Sequence, residues 1–185
     1  MLANYFRRPK QEQAFEELIN DRANNRWALP YVGIGGIGKT MLVRRIRTVL
    51  AQEHSLAVGH VDFDNLNPDY PRRAPGLLLM GFAEDLRLVD DPVIAKIFRD
   101  FDDATRIVHE RLQGQFRAVD AQEELAIEGL GRARSFFTEA LRRFADQGRR
   151  PVLILDTCEE LARIRADGEL PENVAFTFRL LEQIP

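Results

Sequence analysis

Residues Gly33 to Thr40 read Gly-Ile-Gly-Gly-Ile-Gly-Lys-Thr, which matches the pattern G-x-x-x-x-G-K-[S/T] at every fixed position. This octapeptide constrains the fold more than any other stretch, because its chemistry requires a strand before it and a helix after it. Glycines let the backbone turn with its amide groups inward, where a bulky residue would clash and where oxyanions need donors. Trp27 to Val32, upstream, is a short apolar run and reads as the strand. Downstream, Leu42, Val43, Ile46, Val49 and Leu50 recur at helical spacing. Pro30 fits that strand badly, since it has no amide hydrogen to give to a sheet.

The pattern assigns roles. The backbone of Gly33, Gly35, Gly36, Ile37, Gly38, Lys39, Thr40 and Met41 forms a cradle for the phosphates of a nucleoside triphosphate, backed by the positive end of the helix. The Lys39 ammonium reaches the terminal phosphates, and the Thr40 hydroxyl can ligate Mg2+. A carboxylate for the same ion is expected at the end of a buried parallel strand, and Pro151-Val-Leu-Ile-Leu-Asp156 has that form. Without the glycine loop, Asp156 would read as an aspartate that starts a turn; with it, the residue reads as the Walker B carboxylate. Glu159, and after it Glu160, are candidates for positioning an attacking water. Each is equally consistent with a carboxylate favoured by a helix N-terminus.

The chain has 185 residues, 45% hydrophobic and 30% charged, with a formal charge of −3. That is the size and balance of one globular domain, and no apolar run approaches the 18 or so residues that span a bilayer. The N-terminal sequence lacks the apolar core of a secretory signal, so a cytoplasmic location is expected. Cys158 is the only cysteine, which excludes an internal disulfide or a thiolate cage and makes a buried neighbour the simplest reading. His54, His60 and His109 show no ligand spacing. Arg132, Arg134, Arg142, Arg143, Arg149 and Arg150 crowd one segment; this is either a patch for nucleic acid or an acidic partner, or a solvated helix face.

Around these motifs the spacing predicts a helix over 11–20, a strand over 56–64, a proline-rich connection over 65–75 and a helix over 76–88. A long helix follows from Pro92, with its stripe at Ile94, Ile97, Phe98, Phe101, Ile107, Val108, Leu112 and Phe116. Residues 113–124 read as its end and a loop. Phe136, Phe137, Ala140, Leu141 and Phe144 mark another helical face, stopped by Gly148. Core packing explains both aromatic stripes better than a ligand site does. Val174, Phe176, Phe178, Leu180 and Leu181 suggest a last helix.

The inner Gly-Gly of the loop, together with Leu153-Ile-Leu-Asp-Thr-Cys-Glu-Glu-Leu161, resembles the STAND class of signal-transducing ATPases, relatives of AAA+ and NB-ARC proteins. The resemblance runs from about Phe6 to the last residue. It implies a three-layer α/β/α P-loop NTPase fold with a parallel sheet, over residues 1–185, with a long helical connection at 65–150. It implies strand order 5-1-4-3-2, with the fourth strand falling beyond Pro185, so that the chain reads as a fragment or split subunit. An unpaired sheet edge then calls for a protein partner or self-association. Members often carry a hydrophobic-Gly-Arg element that contacts adenine; the comparable Tyr5-Phe6-Arg7-Arg8 has Arg7 where the glycine stands.

The function expected from these readings is an ATP- and Mg2+-dependent switch with slow hydrolysis. The alternatives are a module that binds nucleotide without hydrolysing it until a partner completes it, and a nucleic-acid-associated loader. Phosphotransfer to a small molecule lacks an acceptor motif, and GTP lacks an Asn-Lys-x-Asp element. A competing topology sets the Walker B strand directly beside the phosphate-loop strand.

Overall fold

In a computed structural model, residues 6–21, 27–65, 76–112, 120–159, 179, 181 and 182 are described, with the helix alone described over 107–112 and 120–127. The structure is mixed α/β, with several helices and a small parallel sheet of two strands. It divides into two compact units, Met1–Leu56 and Ala57–Pro185.

The first unit begins with α1 (Pro9–Asn20). Pro9 suits the first helical turn, where its missing N–H has no intrahelical acceptor to lose. Phe15 and Ile19, four residues apart on one face, are buried, and so is Glu12. After the glycine loop, α2 (Lys39–Arg45) continues through a wider π-helical turn (Ile46–Leu50) into a last turn at Ala51–Glu53. There the Ala51 N–H reaches five residues back to the Ile46 carbonyl. Leu42, Ile46 and Leu50 form the buried stripe of this helix. The strand expected over 27–32 is not present: residues 27–34 are irregular, and Trp27, Val32 and Ile34 are exposed. The reason is physical. A strand exists through its neighbours' hydrogen bonds; none pairs with this segment among the described residues, and Pro30 removes one donor.

The second unit is built on β1 (Leu56–Asp62) and β2 (Arg150–Asp156), which pair with each other. Alternation along β1 turns Ala57, Gly59 and Val61 to the core, while Val58, His60 and Asp62 take the other face. On β2 the core-packed residues are Leu153 and Leu155, which leaves Val152, Ile154 and Asp156 on the face shared with His60. Val152 to Leu155 are half-buried, less covered than the sequence predicts, because β2 has a neighbour on one edge only among the described residues.

Three helices cover the core face: α3 (Leu77–Leu86), α4 (Pro92–Leu112) and α5 (Asp120–Asp146). Helix α5 starts within the segment read as loop; residues 113–119 lie outside the described ones. Helices α4 and α5 pack along each other and enclose Ile94, Phe98, Phe101, Phe137, Ala140 and Phe144. Phe137 sits between Phe82 and Phe101, at centroid distances of 6.3 and 6.1 Å. Both aromatic stripes are therefore core wherever their side chains are described. Helix α3 lies close on β1: a Cβ on Gly81 would stand 2.7 Å from Val61 Cγ2, and one on Gly59 would stand 3.1 Å from the Phe82 carbonyl oxygen.

The ends of these helices follow local rules. Asp91 caps α4, accepting the N–H groups of Val93 at 2.8 Å and Ile94 at 2.9 Å. Gly148, in the left-handed region at φ 75°, ends α5, as the Arg149 N–H turns back to the Phe144 carbonyl. No helix among the described residues is long and apolar enough to cross a membrane. The connection over 66–75, Phe116 and most of 174–181 lie outside the described residues.

Candidate functional site

The glycine loop and the strand tips belong to different units and are described separately. In the loop, Gly36 has φ 75° and Gly38 has φ 88°. Both values lie in the left-handed region, which a β-carbon makes costly. Gly38 then opens α2, and its carbonyl accepts the Leu42 N–H at 3.2 Å. Space adds to the demand at two positions. A Cβ on Gly38 would come within 2.9 Å of the Arg8 guanidinium, and one on Gly33 within 3.1 Å of the Ile37 side chain. Gly35 has neither a positive φ nor a near neighbour.

Lys39 folds back over this turn, donating from Nζ to the carbonyl oxygen of Gly33 at 2.8 Å. Its charge therefore sits over the loop, at the first turn of a helix whose amides lack intrahelical acceptors. Thr40 is exposed and Met41 half-buried. Arg8, which the sequence placed only by its neighbours, donates from its guanidinium to the Ile37 carbonyl. Glu12 holds that segment in place: its buried carboxylate accepts the Arg8 N–H at 3.2 Å and pairs with Arg7 at 3.4 Å and Arg45 of α2 at 3.8 Å. The sequence marks Glu12 only as polar at the start of a helix, so its role becomes visible only when α1 and α2 are placed in space.

The strand tips form a second cluster. Asp156 is buried, with 5% of its surface exposed. Its Oδ1 accepts the N–H of Thr157 at 3.0 Å, while its Oδ2 is buried with no hydrogen-bond partner among the described residues. An oxyanion left so is costly unless another group supplies positive charge. His60 Nε2 stands 4.0 Å from Oδ2. Thr157, at φ 59°, carries its hydroxyl to Asp62 Oδ1 at 2.7 Å, so one residue bridges the carboxylates of both strands. The sequence reading gives Asp62, His60 and Thr157 no role in the site. His60 shows no ligand spacing along the chain, and only the pairing of β1 with β2 brings it to Asp156.

Beyond the strand, Cys158 and Glu159 are exposed, and Glu160 lies outside the described residues. Cys158 is thus not the buried neighbour expected, although surrounding protein, followed by the charges of Glu159 and Asp156, pushes its thiol above the ordinary range. The arginine segment divides: Arg132, Arg142 and Arg150 are exposed, whereas Arg149 lies over the Phe144 ring at 5.4 Å. No cluster of three or more His, Cys, Asp or Glu residues suited to a metal occurs among the described residues. Compared with protein-family models, with curated proteins and with solved structures, the chain matches none.

Proposed function

We propose that this chain is the nucleotide-binding module of an ATP-dependent switch related to the STAND and AAA+ proteins, a three-layer P-loop NTPase domain that hydrolyses ATP slowly. The observation that carries the reading is the loop itself: left-handed Gly36 and Gly38, Lys39 folded over the turn, and a helix beginning at once. Polyphosphate is the ligand whose charge and shape suit such a cradle.

In this reading the loop backbone and Lys39 hold the β and γ phosphates. Thr40 and Asp156 are the protein ligands for Mg2+, which when bound neutralises charge on the transferring phosphoryl group. The unspent Asp156 Oδ2 supports that role. Glu159, on the first helical residue after the strand, orients water. The pairing of β1 with β2 is what the order 5-1-4-3-2 asks of its second and third strands. Exposed Trp27, Val32 and Ile34 favour a protein partner or self-association that gives this segment a strand neighbour.

The test is binding of a fluorescent ATP analogue together with phosphate release. Lys39→Ala is expected to abolish binding, and Glu159→Gln to keep binding while slowing turnover. Retained affinity in Lys39→Ala contradicts the assignment. Binding without phosphate release in the unaltered protein selects the non-hydrolysing module.

A further inference from the structure

Thr157 is a β-branched residue at φ 59°, a region where its side chain crowds its own backbone. Such a conformation persists only where its surroundings fix it. Here two contacts do so. Its N–H is given to Asp156 Oδ1 at 3.0 Å, and its hydroxyl to Asp62 Oδ1 at 2.7 Å. Asp62 is fixed in turn, since the same Oδ1 accepts the Asp64 N–H at 3.1 Å. The consequence falls on Asp156. One of its oxygens is spent on Thr157, and the other is buried, 4.0 Å from His60 Nε2 and without a hydrogen-bond partner among the described residues.

We propose that Thr157 is a positioning residue for a divalent cation: clamped across both strand tips, it holds the Asp156 carboxylate with one oxygen used and the other presented to the ion. The inference rests on the nucleotide-switch reading and adds to it a residue that touches neither phosphate nor cation. Three features separate the clamp from an ordinary strand end. An unstrained turn would use glycine or asparagine at a left-handed position. A threonine retained only for packing would not need its hydroxyl on a carboxylate of the neighbouring strand. A carboxylate with a purely structural role would have both oxygens satisfied when buried this deeply. Groups that hold a metal's ligands from behind commonly set affinity nearly as strongly as the ligands do.

The experiment uses Mn2+ as the probe, titrated into the full chain with ATP and followed by electron paramagnetic resonance. The variants are Thr157→Val, Thr157→Gly, Thr157→Ser and Asp156→Asn, each checked for folding by its thermal midpoint. Valine keeps the branched shape and loses the hydroxyl; glycine relieves the backbone and also loses it; serine keeps it. The expected result is about a ten- to hundred-fold loss of Mn2+ affinity in the valine and glycine variants, recovery in the serine variant, and loss in Asp156→Asn. A purely structural role predicts instead that affinity follows the thermal midpoint, with glycine the least affected. If the valine and glycine variants bind Mn2+ like the unaltered chain while Asp156→Asn does not, the positioning role is overturned and the Asp156 assignment stands. If Asp156→Asn itself binds Mn2+ normally, the assignment of Asp156 falls, and the role of Thr157 with it.

Discussion

Gly81, inside α3, sets two physical effects of similar size against each other. In a helix interior, alanine is favoured over glycine by about 1 kcal/mol, because glycine loses more backbone freedom on folding. At this position the added methyl would stand 2.7 Å from Val61 Cγ2, roughly 1 Å inside an ordinary carbon contact. Val61 is buried in β1 and stiff about its first side-chain torsion, so it cannot turn away at little cost. Overpacking of this kind costs about 1 to 3 kcal/mol. Gly81→Ala is therefore expected to destabilise by about 0 to 2 kcal/mol, the clash outweighing the helical gain. Removing the obstacle should reverse the sign: on a Val61→Ala background, Gly81→Ala should stabilise by about 0.5 to 1 kcal/mol. Urea unfolding of the four proteins, followed by far-UV circular dichroism, gives the coupling directly, expected at about 1 to 3 kcal/mol. Stabilisation by Gly81→Ala of equal size in both backgrounds would refute the close packing of α3 on β1, and with it the account of how the strand carrying His60 and Asp62 is held.

Two further perturbations probe the second unit. Phe137→Ala, which empties the space between Phe82 and Phe101, is expected to cost about 3 to 5 kcal/mol in the same unfolding assay; a loss below 1 kcal/mol contradicts its place at the centre of the core. Asp91 is held below the usual carboxylate range, first by the hydrogen bond from the Ile94 N–H, which outweighs the opposing effect of desolvation, and then by Gln147, the Val93 N–H and the charge of Arg143. Its folded pKa is thus the lower one. Its contribution is complete above the unfolded value near pH 4 and disappears as pH falls through the folded value. Unfolding midpoints of the unaltered chain and Asp91→Asn should differ by a constant amount above about pH 5 and converge in stronger acid; a difference that grows on acidification has the wrong sign.

Much of the architecture is legible in the sequence for local reasons. Helical spacing places the buried faces of α1, α4 and α5, and Gly148 stops α5 because a left-handed residue is needed there. The glycine loop is legible because φ at Gly36 and Gly38 is a property of the residues themselves. The segment over 27–32 is the opposite case. Its apolar composition suggests a strand, but strand formation depends on a neighbouring strand, and among the described residues no strand pairs with it.

The sequence alone determined the loop, the helix that follows it and the carboxylate at the end of β2, since each is encoded within a few consecutive residues by backbone freedom, periodicity or the end of an apolar run. Tertiary structure decided the surroundings of that carboxylate. His60 reaches Asp156, and Asp62 reaches Thr157 from 95 positions away, only because β1 pairs with β2 in one register. It also decided that Glu12 is a buried anchor and not a surface charge, because packing of α1 against α2 adds Arg45 to the neighbouring Arg7 and Arg8 around one carboxylate. Local preference acts through a residue's own backbone, whereas the partners of a buried charge are chosen by packing between segments distant in sequence.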